Sequence, residues 1–150
     1  MKIRAIAPAD NEEWLRMRHA LWPDCPKERH ALEMEQLQSP RNAGVVLVAE
    51  REPGKLSGFA EISVRHDHVD GASTAPVAYL EGWYIDRASR GSGLGRKLIE
   101  AAEQWAARQG YTELASDAEL ENEDSIRAHA ACGFHETGRT VHFIKQIARK

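Results

Sequence analysis

Cysteine is scarce in this chain: Cys25 and Cys132 are the only two among 150 residues. Two thiols cannot form the disulfide framework of a small secreted domain, so both are expected to be reduced and neither to be a catalytic thiol. Long apolar runs are missing as well. The longest, residues 43–49, is far too short to span a bilayer. The first residues, MKIRAIAPADNEEW, lack the apolar region of a signal peptide. A cytoplasmic protein without a membrane segment is expected. There is no long basic run, and the formal charge is −3, so nucleic acid is not an expected partner. No internal repeat, low-complexity tract or linker interrupts the chain. With 42% hydrophobic residues it can bury a core as one domain over 1–150.

Residues 76–96, PVAYLEGWYIDRASRGSGLGR, are the most informative stretch. Val77, Tyr79, Trp83, Tyr84 and Ile85 favour a strand, expected over about 76–86. From Leu94 to Gln109, Leu94, Leu98, Ala101, Ala102 and Trp105 recur at helical steps. Between them lies Arg90-Gly91-Ser92-Gly93-Leu94-Gly95, where glycines let backbone N–H groups approach a ligand at the positive end of a helix. Such a loop suits phosphate. It is not a P-loop, which needs a glycine four residues before Gly-Lys-Ser/Thr. It is not a dinucleotide fingerprint either, because Arg96 stands where the third glycine belongs.

Elsewhere the pattern predicts a strand over 2–7, helices over 10–21 and 27–38, and a hairpin of strands over 44–50 and 56–64 turning at Glu52-Pro53-Gly54. A polar loop over 67–75 is a candidate place for substrate contacts. A strand over 111–116, a helix over 122–132 closed by Gly133, and strands over 134–137 and 140–147 complete the order β-α-α-β-β-β-α-β-α-β-β. That order describes an α/β domain with a mixed sheet.

Two signatures in this order resemble the GNAT superfamily of N-acyltransferases. One is Arg-x-x-Gly-x-Gly at Arg90, Gly93 and Gly95; the other is Asn122, Ser125, His129 and Gly133-Phe134. The strings LWP at 21–23, RHDHVDG at 65–71, LEGWY at 80–84, ASD at 115–117 and GF-x-E-T-x-R at 133–139 look like those of the bacterial aminoglycoside 6′-N-acetyltransferases. The similarity covers about residues 4–145. It implies a GNAT fold whose sheet is splayed between the strand at about 76–86 and the strand at about 111–116. It also implies acetyl-CoA as co-substrate, no metal, and a homodimer.

The resemblance assigns Gly91, Ser92, Gly93, Leu94, Gly95 and Arg96, with Arg90, to the CoA pyrophosphate. It assigns the backbone of Trp83, Tyr84 and Ile85 to pantetheine, and Asn122 to the CoA arm. Packing in the core is the competing role for Trp83 and Ile85. Amine acetylation needs a deprotonated amine, a stabilised oxyanion and a stabilised thiolate. Glu81 is the candidate for the first, because a carboxylate among Leu80, Gly82 and Trp83 is a poor structural choice. A salt bridge to an arginine is the alternative. His129 stands where many GNAT enzymes carry Tyr, and either protonates the thiolate or packs on its helix.

For a polycationic acceptor, Glu81 and Asp117 would supply acidic contacts. Asp117 could instead cap a helix or turn. Trp22 matches a residue that packs on the sugar, with core burial as its alternative, and Glu136 matches a family glutamate. His68 stands where the family often has Tyr, and Gly138 where it often has Glu, which bears on substrate breadth. A GNAT enzyme for another amine, or a module that binds CoA without turnover, are the competing functions.

Overall fold

In the computed structural model, which describes residues 1–148, the chain divides into two units, Met1–Asp117 and the segment from Ala118 onward. The first unit is a five-stranded sheet in the order β1-β2-β3-β4-β5. These are β1 (Lys2–Ala5), β2 (Val45–Glu52), β3 (Lys55–Arg65), β4 (Val77–Ile85) and β5 (Leu114–Ser116). The first four are antiparallel neighbours, and β4 pairs with β5 in parallel. Helices α1 (Asn11–Leu21), α2 (Lys27–Leu37) and α3 (Leu94–Arg108) belong to this unit.

Successive strand residues point to opposite faces. Phe59 on β3 joins Trp14, Met17, Met34, Val46, Val48 and Leu56 in a buried cluster with α1 and α2. A β-carbon on its neighbour Gly58 would instead meet Leu98 of α3 at 3.3 Å. Apolar side chains on both faces explain why β2 and β3 read as near-continuous hydrophobic runs rather than as alternating ones. On α3 the predicted stripe is buried at Leu94, Leu98, Ala102 and, beyond it, at Ile99 and Ala106.

Helix α1 is entered through a short 3-10 turn, Pro8–Asp10, where Asp10 accepts the backbone N–H of Ala7 at 2.8 Å. Arg4 holds the same carboxylate at 2.7 and 2.9 Å and reaches Glu50 at 2.8 Å, tying the first strand to the sheet. The helix stops at Trp22 because Pro23 follows.

The second unit contains α4 (Glu123–Ala131), with Asn122 as its N-cap and Gly133, at φ +92°, directly after its end. The strands expected over 134–137 and 140–147 are not formed: residues 134–148 carry no ladder. The alternation of Val141, Phe143 and Ile147 favours extended backbone, but a strand also needs a neighbour to bond to, and an isolated hairpin is marginal in water. Phe143, Ile144 and Ile147 are correspondingly about nine-tenths exposed, at 91%, 90% and 91%.

Candidate active site

Glu81 stands out because β4 bulges at it. Glu61 of β3 pairs with Gly82 and Ile62 pairs with Leu80, so Glu81 has no opposite number. A bulge re-aims a side chain that strict alternation would place elsewhere. Here it leaves a carboxylate exposed on a strand whose preceding four residues are all buried. The bulge also marks the end of pairing on the other edge. The β4–β5 ladder runs only through Ala78–Leu114, Tyr79–Ala115 and Leu80–Ser116, while β4 continues to Ile85. Beyond Leu80, no ladder bond to β5 is formed.

Both oxygens of Glu81 are engaged. Arg65 donates Nε to Oε2 at 2.9 Å and Nη2 to Oε1 at 2.7 Å, and Ser63 Oγ donates to Oε2 at 2.5 Å. The arginine alternative for Glu81 is therefore realised. It coexists with an open position, since the Glu81 side chain remains 34% exposed. Burial alone pushes this carboxyl up; hydrogen bonds from Arg65 and Ser63, with the Arg65 charge, outweigh it and hold the group below its usual range. The Arg65 guanidinium carbon also lies over the Tyr79 ring, 3.4 Å from its centroid. The Tyr79 hydroxyl in turn donates a short hydrogen bond to Asp117. Burial and this carboxylate both push the Tyr79 phenol up, so it stays a donor.

A cavity of about 470 Å³ adjoins Glu81, lined also by Trp22, Glu33, Gln36, Leu37, Asn42 and Glu61. Trp22 is fixed from three sides. It stacks on His30, meets Phe59 edge-on, and lies 4.8 Å from the Arg18 guanidinium. Arg18 is almost wholly buried yet fully engaged: it donates to Glu61 at 2.5 and 2.7 Å, to Glu33 at 2.6 Å and to His30 Nδ1 at 3.1 Å. Trp14 Nε1 adds a 3.0 Å bond to Glu61. Burial raises the Glu61 carboxyl, and the guanidinium and indole N–H oppose it. Trp22 is thus both packed on the core and a wall of the cavity.

The glycine loop has the features of an anion site. Gly91 and Gly93 sit at φ +80° and +83°, a backbone region that side chains resist. Gly95 lets α3 approach Trp83, since a β-carbon there would lie 3.2 Å from the indole. The first turn of α3 holds no acid but carries Arg96 and Lys97, the reverse of the usual helix preference. Arg90 donates to the carbonyl of Ile85 at 2.8 Å, and Ser92 to that of Ser89 at 2.5 Å, so both brace the loop. The end of β4, from Trp83 through Tyr84 to Ile85, lies past the registered β4–β5 ladder and leads through Asp86 and a short 3-10 turn into it.

Of the remaining residues, His68 is exposed on the loop after β3 and pairs with Asp70 at 3.3 Å. It does not line the cavity. Glu113 holds that loop, accepting from the backbone of Ser73 and Thr74 at 2.9 and 3.0 Å. In the second unit, Asn122 Oδ1 accepts from Ser125 N at 3.1 Å, which makes it a helix cap. His129 donates Nδ1–H to the Ser125 carbonyl at 2.7 Å and packs edge-on against Phe134. Glu136 pairs with Arg139 at 3.0 Å. Among the described residues no group of side chains could hold a metal ion.

Arg65, Ser63, Tyr79, Arg18, His30, Glu33 and Glu61 were not singled out from the sequence as site residues. The one signal for Arg65 is register: Ser63 faces Tyr79 across the β3–β4 pair, which brings Arg65 to the same face two residues on.

Residues 14–134 match the Acetyltransferase (GNAT) family. An aminoglycoside N(6′)-acetyltransferase type 1 of Stenotrophomonas maltophilia is 43% identical over 94% of this chain and 90% of its own length. One from Serratia marcescens is 42% identical over 95% and 97%. Among solved structures, the apo aminoglycoside 6′-N-acetyltransferase of type Ig from Acinetobacter haemolyticus superposes with a TM-score of 0.89 at 37% identity, covering 99% of this chain and 100% of that one. A type Iy enzyme in complex with the bisubstrate analogue CoA-S-monomethyl-acetylneamine also reaches 0.89, at 34% identity over 97% and 98%. The chain belongs to the GNAT acetyltransferases and, within them, to the family of the aminoglycoside 6′-N-acetyltransferases.

Proposed function

We propose that this chain transfers an acetyl group from acetyl-CoA to a primary amine of an aminoglycoside, the 6′-amine, and thereby confers resistance, by direct attack in a ternary complex. The observation that carries this reading is the placement of Glu81: a bulged carboxylate that lines a tryptophan-walled acidic cavity and sits where the β4–β5 ladder ends. The family match across residues 14–134 runs through both units and supports one domain over the whole chain.

The residues fit acetyl-CoA. The left-handed glycines and the acid-free start of α3 suit its pyrophosphate, held by residues 90–96. The strand backbone of Trp83, Tyr84 and Ile85, past the end of the β4–β5 ladder, suits an amide-bearing arm, and an N–H among them would meet the developing oxyanion. Asn122 adds a contact to the CoA arm. When bound, acetyl-CoA supplies the thioester carbonyl that the amine attacks and the sulfur that leaves.

Glu81 binds the acceptor ammonium. A carboxylate held this acidic is a better ligand for the cation than a base, so the amine proton departs through water beside it. Asp117, Glu136 and His68 contact the remaining polar groups of the substrate, and Trp22 packs on a sugar ring. His129 protonates the sulfur: an imidazolium that gives up its Nε2 proton keeps Nδ1–H on Ser125.

The proposed place of action is the cytoplasm; no described helix is long and apolar enough to cross a membrane. The uncovered Val141, Phe143, Ile144 and Ile147 support a homodimer in which a second copy gives residues 134–148 the strand partner they lack. The activity is tested by thiol release from acetyl-CoA with kanamycin, tobramycin, spermidine and a peptide N-terminus. Release with the first two supports the reading; release only with the others replaces the substrate class.

A further inference from the structure

The acceptor site already contains a cation. The guanidinium of Arg65 takes both oxygens of Glu81 at 2.7 and 2.9 Å while lying on the Tyr79 ring, whose hydroxyl holds Asp117. The charge therefore pairs directly with one of the two acidic residues that would receive the substrate and is linked to the other only through the Tyr79 ring. A carboxylate offers about four lone-pair positions, and three donors occupy them here, counting Ser63. One position stays open, so an ammonium can approach Glu81 while Arg65 keeps its bidentate grip, but it gains the undivided carboxylate charge only when Arg65 leaves. The Arg65 side chain is 42% exposed at the end of β3, so it can swing outward without opening a hole in the core.

We infer that Arg65 is a resident counter-ion of the acceptor site, displaced from Glu81 when the substrate amine binds. This inference rests on the aminoglycoside reading above. Free enzyme then avoids leaving Glu81 as an unpaired, half-buried charge, and substrate binding becomes an exchange of one cation for another. The exchange costs apparent affinity equal to the strength of the Arg65–Glu81 pair.

The test is steady-state kinetics of kanamycin acetylation by wild type, Arg65→Gln and Arg65→Lys, with acetyl-CoA saturating and then varied. Arg65→Gln should lower the KM for kanamycin by up to about fivefold, the size of a part-exposed ion pair. The KM for acetyl-CoA should not move, and kcat should change less than the kanamycin KM. Arg65→Lys keeps the charge but loses the two-point grip, and its kanamycin KM should fall between those of wild type and Arg65→Gln. An unchanged or raised kanamycin KM in Arg65→Gln overturns the inference, because Arg65 would then be indifferent or would position Glu81. It is equally overturned if Arg65→Lys lowers the kanamycin KM further than Arg65→Gln, since the effect would then not follow loss of the resident charge. Absence of kanamycin turnover in all three proteins removes the aminoglycoside reading and the inference with it. Turnover with the wrong KM response removes the inference alone.

Discussion

The Trp22 indole lies directly on the α-carbon of Gly82: a β-carbon there would sit 2.5 Å from Cη2 and 2.9 Å from Cζ2 of the ring. A helix end and a strand residue sixty positions apart in sequence thus form one wall beside Glu81, and only glycine leaves room for it.

Gly82→Ala must push Trp22 away. Overpacking of this kind costs about 1–3 kcal/mol. The kanamycin KM should rise on the order of tenfold, the equivalent of about 1.4 kcal/mol, with the acetyl-CoA KM much less affected. Urea melts and two-substrate kinetics measure both. Equal rises in the two KM values would place Trp22 outside the acceptor site.

Glu81→Gln removes the charge that receives the ammonium and should lower kcat/KM for kanamycin about 10²-fold, leaving acetyl-CoA affinity intact by calorimetry. The pH dependence has a definite sign. Glu81 is held below the usual 4.5 in the folded chain, so its ion pair contributes stability above that value and loses it as pH falls through the depressed folded value. Denaturation midpoints measured downward from pH 5 should therefore fall more steeply in wild type than in Glu81→Gln. Parallel curves would mean that the Arg65 pair does not hold Glu81 in solution.

Arg18→Met leaves Glu61, which is 4% exposed, without its counter-charge. Breaking a buried pair costs about 3–5 kcal/mol, whereas replacing both partners by apolar groups is much milder. Arg18→Met should be strongly destabilised in urea, and Arg18→Met/Glu61→Leu should recover most of the loss. The double variant still lacks the cation beside Trp22, so its kanamycin KM should stay raised. A double variant as unstable as the single one would contradict the buried-pair account.

Gly93→Asp separates the two meanings of the glycine loop. An acid at the start of a helix favours the dipole, but a side chain at φ +83° is strained by about 1–2 kcal/mol and its charge opposes a pyrophosphate. Acetyl-CoA binding should weaken at least about tenfold, well beyond what the modest change in stability explains. Unaltered binding by calorimetry would contradict the phosphate cradle.

Most of the first unit was legible because local rules govern it. Helix α3 and the turns at Gly54 and Gly91 follow from periodicity and from glycine's access to positive φ. Glu81 was legible as an acid in an apolar strand. The bulge that aims it was not, because a bulge exists only in the register between β3 and β4. Arg18 lies within the helix expected over 10–21, but its partners Glu61, Glu33 and His30 lie on two other elements, which no local pattern brings together. The expected strands after Gly133 failed for the converse reason. Propensity marks a segment that suits a ladder, and nothing in one chain's local pattern supplies the neighbour.

The most direct measurement is mass spectrometry, with NMR of the isolated product, after incubating the protein with acetyl-CoA and kanamycin. The account predicts a monoacetylated drug carrying the group on its 6′-nitrogen, and its loss in Glu81→Gln at equal time. Acetylation at another nitrogen would contradict the acceptor geometry, and unmodified drug beside intact acetyl-CoA would contradict the proposed function itself.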